Sequence, residues 1–132
     1  MTIVIDASVV VAALVDTGTE GQWAGGVIAS EDLVAPHLMP AEVANILRFA
    51  AMGGGLSVDD WLSAHHELTD LRVAFVPYTP FAERVWELRE DVTPYDGWYV
   101  ALAESLGVSL ATLDRRLTRA PGTRCQFITP PG

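Results

Sequence analysis

Lysine is absent. All eight basic residues are arginine, which excludes chemistry built on a Schiff-base lysine, a phosphate-loop lysine or a lysine phosphate clamp. Cys125 is the only cysteine, so no internal disulfide or cysteine-rich zinc site can form, and a reducing compartment is expected. Positive charge is scarce: the eight bases face 17 acids, for a net charge of −9. That balance excludes a nucleic-acid binder held by overall positive charge, so any RNA contact must be local. No stretch approaches the ~18 apolar residues that a membrane helix needs. The run Ile3-Val4-Ile5 meets Asp6 at once and has no basic leader, so neither signal peptide nor membrane contact is expected, and the cytoplasm is the expected location.

What is present suits a single domain, residues 1–132. Half of the residues are hydrophobic and 19% are charged, so the chain can bury enough apolar surface to offset its ordering entropy. Short apolar runs alternate with helical patterns. Thr2 to Ile5, Leu33 to Ala35, Val73 to Val76, Val108 to Thr112 and Gln126 to Ile128 read as strands. Helices are expected over Ser8 to Val15, Glu20 to Ser30, Ala41 to Met52, Ser57 to Leu71, from Thr79-Pro80 through Leu88, from Thr93-Pro94 to Leu106, and over Asp114 to Thr118. Gly53-Gly54-Gly55 stops one helix by a left-handed cap, and Gly107 stops another. This alternation predicts an α/β fold with three layers, α/β/α, around a parallel sheet of about five strands.

In such sheets ligands bind beyond the carboxyl ends of the strands. Asp6 follows the first strand directly, Asp114 comes two residues after the fourth, and Glu42 and Asp96 lie in the first turns of helices reaching the same layer. Each acid also has an ordinary role as a helix cap or first-turn charge. Asp6 is the exception, because its flanks Ile3-Val4-Ile5 and Val9-Val10-Val11 place it in a buried setting, where carboxylates are rare unless paired or metal-bound. Two carboxylates ~5 Å apart at an effective dielectric near 20 repel by about 3 kcal/mol. A group of four therefore takes up protons or binds a hard divalent cation, Mg2+ or alternatively Mn2+. A carboxylate-held ion suits phosphodiester hydrolysis. Arg115, Arg116 and Arg119 follow Asp114 closely, and Arg115 and Arg116 are the candidate RNA contacts.

Other signals are weaker. His65 and His66 are adjacent on a helix and point apart, so a zinc pair is not expected. The triple glycine lacks the residues of a phosphate loop, and Ser8 is not in a hydrolase elbow. Trp86, Trp98, Tyr99 and Leu102 read as core rather than as base-stacking platforms.

Four blocks carry a family likeness: Ile3-Val4-Ile5-Asp6-Ala7-Ser8; Pro40-Ala41-Glu42-Val43-Ala44-Asn45-Ile46-Leu47; Thr93-Pro94-Tyr95-Asp96-Gly97-Trp98-Tyr99-Val100-Ala101-Leu102-Ala103-Glu104; and Leu110-Ala111-Thr112-Leu113-Asp114-Arg115-Arg116-Leu117. In order and spacing the chain resembles a PIN-domain ribonuclease, more narrowly a VapC-type toxin of a bacterial type II toxin–antitoxin pair. The resemblance implies a Mg2+-dependent endoribonuclease that inhibits translation by cutting RNA, commonly a homodimer, held in check by a cognate VapB-type antitoxin. It assigns Asp6 and Asp96 as metal ligands, Glu42 and Asp114 as the remaining catalytic acids, and Thr112 as a supporting hydrogen-bonding group. An antitoxin would set an arginine or lysine among these carboxylates. A receiver domain or a haloacid-dehalogenase-type phosphatase would need a lysine that is missing. The non-enzymatic alternative is an idle PIN-like protein-interaction module.

Overall fold

The computed structural model describes residues 1–132. In chain order the elements are β1 (Thr2–Ile5), α1 (Ala7–Val15), α2 (Thr19–Ser30), β2 (Asp32–Pro36), α3 (Met39–Met52), α4 (Val58–Asp70) and β3 (Val73–Val76). A 3-10 turn at Thr79–Phe81 then leads into α5 (Ala82–Glu87), α6 (Pro94–Leu106), β4 (Leu110–Ala111), α7 (Arg115–Thr118) and β5 (Phe127–Ile128).

All five strands are parallel, in the order β3-β2-β1-β4-β5. A strand at the centre of a parallel sheet is covered on both faces, so it must be apolar throughout rather than alternating. β1 meets that demand, with Ile3, Val4 and Ile5 all buried. On one side its register sets Val4 opposite Val34, and on the other Val4 opposite Leu110. The chain builds outward from β1 through β2 to β3 and then returns to lay β4 on the other side. The strand order therefore reverses between β1 and β4, and in open α/β sheets that crevice is where ligands bind.

The helices fall into two groups, as right-handed crossovers in opposite directions require. α1 packs against α2, α3 and α4, while α5 packs on α6, which lies on β1, β2 and β4. The core holds Val9 and Val10 of α1, Val43 and Leu47 of α3, and Val100 and Leu102 of α6. α2 folds back on α1 at Gly21. A Cβ there would sit 1.8 Å from the Asp16 carbonyl oxygen, so only glycine permits this approach.

The local signals act largely as read. Ser57 Oγ accepts from the Asp60 amide at the start of α4, Thr93 Oγ1 accepts from the Asp96 amide at the start of α6, and Gly107 ends α6 with φ 66°. In the triple glycine the left-handed residue is Gly54, φ 78°, whereas Gly53 has φ −80°.

Two elements differ from expectation. The strand expected over Val108 to Thr112 narrows to Leu110–Ala111, because only these two residues find ladder partners on both sides. The helix expected from Thr79 is a 3-10 turn and a short α5. On it Val85 and Leu88, three apart, share the buried face, which turns Trp86 outward at 65% exposure beneath the Arg89 guanidinium, so Trp86 is not core. His65 is half-buried and stacks on Trp61, while His66 is exposed beside Asp70; the two do not converge.

Candidate active site

Asp6 takes over where β1 ends. Its amide still bonds to the Ala111 carbonyl of β4, and its extended backbone makes it the N-cap of α1. At 7% exposure it is the one buried acid, and it is well supplied with donors. Its Oδ1 accepts from Ser8 Oγ at 2.5 Å and from the Val9 amide at 3.2 Å; its Oδ2 accepts from Thr112 Oγ1. Each hydroxyl is committed on its other side, Ser8 Oγ accepting from the Leu113 amide and Thr112 Oγ1 from the Asp114 amide, both at 3.0 Å. With those lone pairs occupied, both hydroxyl protons turn toward Asp6.

The loop thus tied to Asp6 carries Asp114. This residue caps α7, its Oδ1 accepting from the amides of Arg116 and Leu117. Capping and membership of the acidic group are therefore compatible roles for both Asp6 and Asp114. Asp96 is different. Thr93 caps α6, but neither carboxylate oxygen of Asp96 has a hydrogen-bond partner, so the side chain is free to face the other acids. Glu42 stands in the first turn of α3, and its Oε1 accepts from the Tyr99 hydroxyl at 2.9 Å.

Electrostatics joins the four acids. Burial pushes Asp6 above the ordinary carboxylate range, against the pull of the Ser8, Thr112 and Val9 donors, and the Asp96 charge pushes it further. Glu42 is raised by burial and by the Asp96 and Asp6 charges, with the Tyr99 hydroxyl opposing. Asp96 is raised by burial and by Asp114, with Arg116 opposing. Strand ends and helix starts far apart in sequence thus converge on one edge of the sheet, where each carboxylate feels another.

No three of these acids are close enough to ligate one ion by themselves. The all-oxygen donor set and its mutual repulsion nevertheless fit a small hard cation that keeps several waters and takes one or two carboxylates from the protein. The site is an open edge. The largest groove, about 630 Å³, lies at the opposite edge of the sheet beside Met1, Glu31, Arg124 and Cys125, away from the four acids.

The two candidate arginines part company. Arg115 donates to Thr129 Oγ1 at 3.3 Å and to the Pro130 carbonyl at 2.9 Å, tying the C-terminal segment to α7. Arg116, 90% exposed, lies 3.8 Å from Asp114 and projects beside the acids. Two further residues serve the site. Ser8 lies outside any hydrolase elbow, but a serine two positions past an N-capping acid is placed to donate to it. The Tyr99 ring is core, and its spacing of three from Asp96 puts both on one helix face.

The sequence matches the PIN domain family over residues 3–122. It is 38% identical over 129 residues to the VapC ribonuclease Mb0985 of Mycobacterium bovis, covering 98% of each chain. The chain belongs to the PIN-domain family, among the VapC ribonucleases. Solved structures share the fold. PAE2754 from Pyrobaculum aerophilum superimposes with a TM-score of 0.72 at 25% identity, covering 96% of this chain and 83% of that one. VapBC2 from Rickettsia felis, solved bound to a DNA fragment from its promoter, shares the fold at TM-score 0.64 and 11% identity, covering 98% of each chain.

Proposed function

We propose that this VapC-family chain is a magnesium-dependent endoribonuclease, the toxin of a toxin–antitoxin pair. The observation that carries the reading is the placement of Asp6 and Asp114 at the carboxyl ends of β1 and β4, with Glu42 and Asp96 in the first turns of α3 and α6, beside the β1–β4 crevice. Asp6 and Asp96 would hold Mg2+, or Mn2+ in its place, Asp6 fixed by Ser8 and Thr112 and Asp96 free to turn toward the ion. When bound, the ion supplies Lewis-acid stabilisation of the phosphate oxygens and activation of water. Glu42 and Asp114 accept protons from and orient the attacking water; Thr112 holds Asp6; and Arg116 reaches the RNA backbone that the acids would otherwise repel.

The family likeness and the net charge of −9 support a basic segment of a VapB-type antitoxin as the inhibitor, its cation competing with the metal among the carboxylates. A homodimer working in the cytoplasm completes the reading. No helix is long and apolar enough to cross a membrane.

The chemistry of the cut ends tests the mechanism. Attack by water leaves no 2′,3′-cyclic phosphate and does not need the 2′-hydroxyl at the cut, so an RNA with a single 2′-deoxy residue there should still be cleaved. Cyclic phosphate ends would assign the nucleophile to the RNA itself and remove the water-orienting role from Glu42 and Asp114.

A further inference from the structure

Tyr99 is buried at 2% exposure, and its hydroxyl donates from α6 to Glu42 Oε1 on α3 at 2.9 Å. α6 presents Asp96 and Tyr99 on one face, three residues apart, so one helix delivers an acid and also the donor that grips a second acid on α3. We propose that Tyr99 is a positioning residue that fixes the Glu42 carboxylate relative to Asp96, so that α6 sets the geometry of half of the acidic group.

The remaining surroundings agree. Glu42 has no other side-chain partner: the Tyr99 hydroxyl is the one side-chain donor that reaches it. Without that bond a half-buried carboxylate, repelled by Asp96 and Asp6, would swing toward solvent. Burial and the neighbouring Glu42 charge raise the phenol far above its ordinary range, so it remains a protonated donor at physiological pH. The aromatic ring is core, packed in the same cluster as Val100 and Leu102. Ring and hydroxyl therefore have separable jobs, packing and positioning.

The proposal rests on the ribonuclease reading for its consequence, but the coupling itself can be measured without RNA or metal. Tyr99→Phe, Glu42→Ala and the double variant form a thermodynamic cycle with wild type, read as melting temperature in EDTA and as single-turnover RNA cleavage in Mg2+. In EDTA, Tyr99→Phe should lower the melting temperature of wild type, because Glu42 loses its donor. In the Glu42→Ala background it should leave the melting temperature unchanged or raise it, because a buried hydroxyl without an acceptor is removed. In cleavage, Tyr99→Phe should lower kcat by about ten- to a hundredfold with KM for RNA little changed, and should add nothing to the loss caused by Glu42→Ala.

Equal melting shifts in both backgrounds would overturn the proposal, since they would make the hydroxyl a packing group. So would a Tyr99→Phe protein as active as wild type, or one unable to fold. Failure of wild type to cleave any RNA would count against the ribonuclease reading, while the melting cycle would still decide whether Tyr99 holds Glu42.

Discussion

Ser8 and Thr112 divide the carboxylate of Asp6 between them, Ser8 Oγ donating to Oδ1 and Thr112 Oγ1 to Oδ2. One hydroxyl comes from the first turn of α1 and the other from the end of β4, so the clamp closes the crevice where strand order reverses. It also ties the loop bearing Asp114 to Asp6, because each hydroxyl accepts the next amide of that loop.

Removing half of the clamp leaves a buried acid under-supplied with donors. Thr112→Val keeps the side-chain shape and should destabilise the protein by about 1–3 kcal/mol at neutral pH. The hydroxyl lowers the Asp6 pKa, so in the variant that pKa rises further. The destabilisation should be present above the raised pKa and shrink as acid protonates Asp6. Urea melts of both proteins at neutral and mildly acidic pH measure this; a difference independent of pH would contradict it.

Repulsion among the acids makes a second expectation. Asp6, Glu42 and Asp96 have folded-state pKa values raised above their ordinary ones. Groups raised in this way contribute stability below their unfolded pKa and lose it as pH rises through the folded value. At neutral pH without metal they therefore strain the fold. Asp96→Asn should raise the melting temperature in EDTA by a few degrees, roughly 1 kcal/mol, and should cut the further rise that Mg2+ gives wild type. A lower melting temperature for Asp96→Asn in EDTA would show that the charge is stabilising.

Metal binding must displace protons from these raised acids. Mg2+ or Mn2+ affinity should tighten as pH rises through the raised pKa values of Asp6, Glu42 and Asp96, with proton release on binding below them. Calorimetry in two buffers of different ionisation enthalpy reads the protons directly. Binding that is unchanged over this range would mean that the raised acids are not where the ion sits.

Arg115 and Arg116 should separate stability from binding. Arg115→Gln loses the bonds to Thr129 and Pro130 and should lower the melting temperature. Arg116→Gln should leave it within about 0.5 kcal/mol of wild type, as exposed substitutions usually do. It should raise KM for RNA and flatten the salt dependence of binding. The reverse pattern would move the RNA backbone to Arg115.

Periodicity, caps and breakers made most of the fold legible. β3 falls on the four residues expected, α6 runs from Pro94 to Leu106 between its Thr93 and Gly107 caps, and Asp6 is as buried as its apolar flanks imply. Local patterns could not supply relationships set by strand register. Ser8 meets the Leu113 amide only because β1 and β4 are neighbours with Ile5 opposite Ala111. Trp86 misleads for a related reason: a large aromatic between Val85 and Leu88 suggests core, but on a helix as short as α5 the face taken by those two residues leaves no room for it inside. Tyr99 was placed correctly in the core, yet its hydroxyl's partner lies on α3, whose position depends on the whole sheet.

The central claim is that the four linked acids cut RNA with the help of a divalent ion. Its most direct test is cleavage of purified small RNA by antitoxin-free wild type and by Asp96→Asn, each with Mg2+ and with EDTA. Discrete fragments from wild type in Mg2+ alone are the result expected. Equal cleavage by Asp96→Asn, or cleavage that persists in EDTA, would contradict the account.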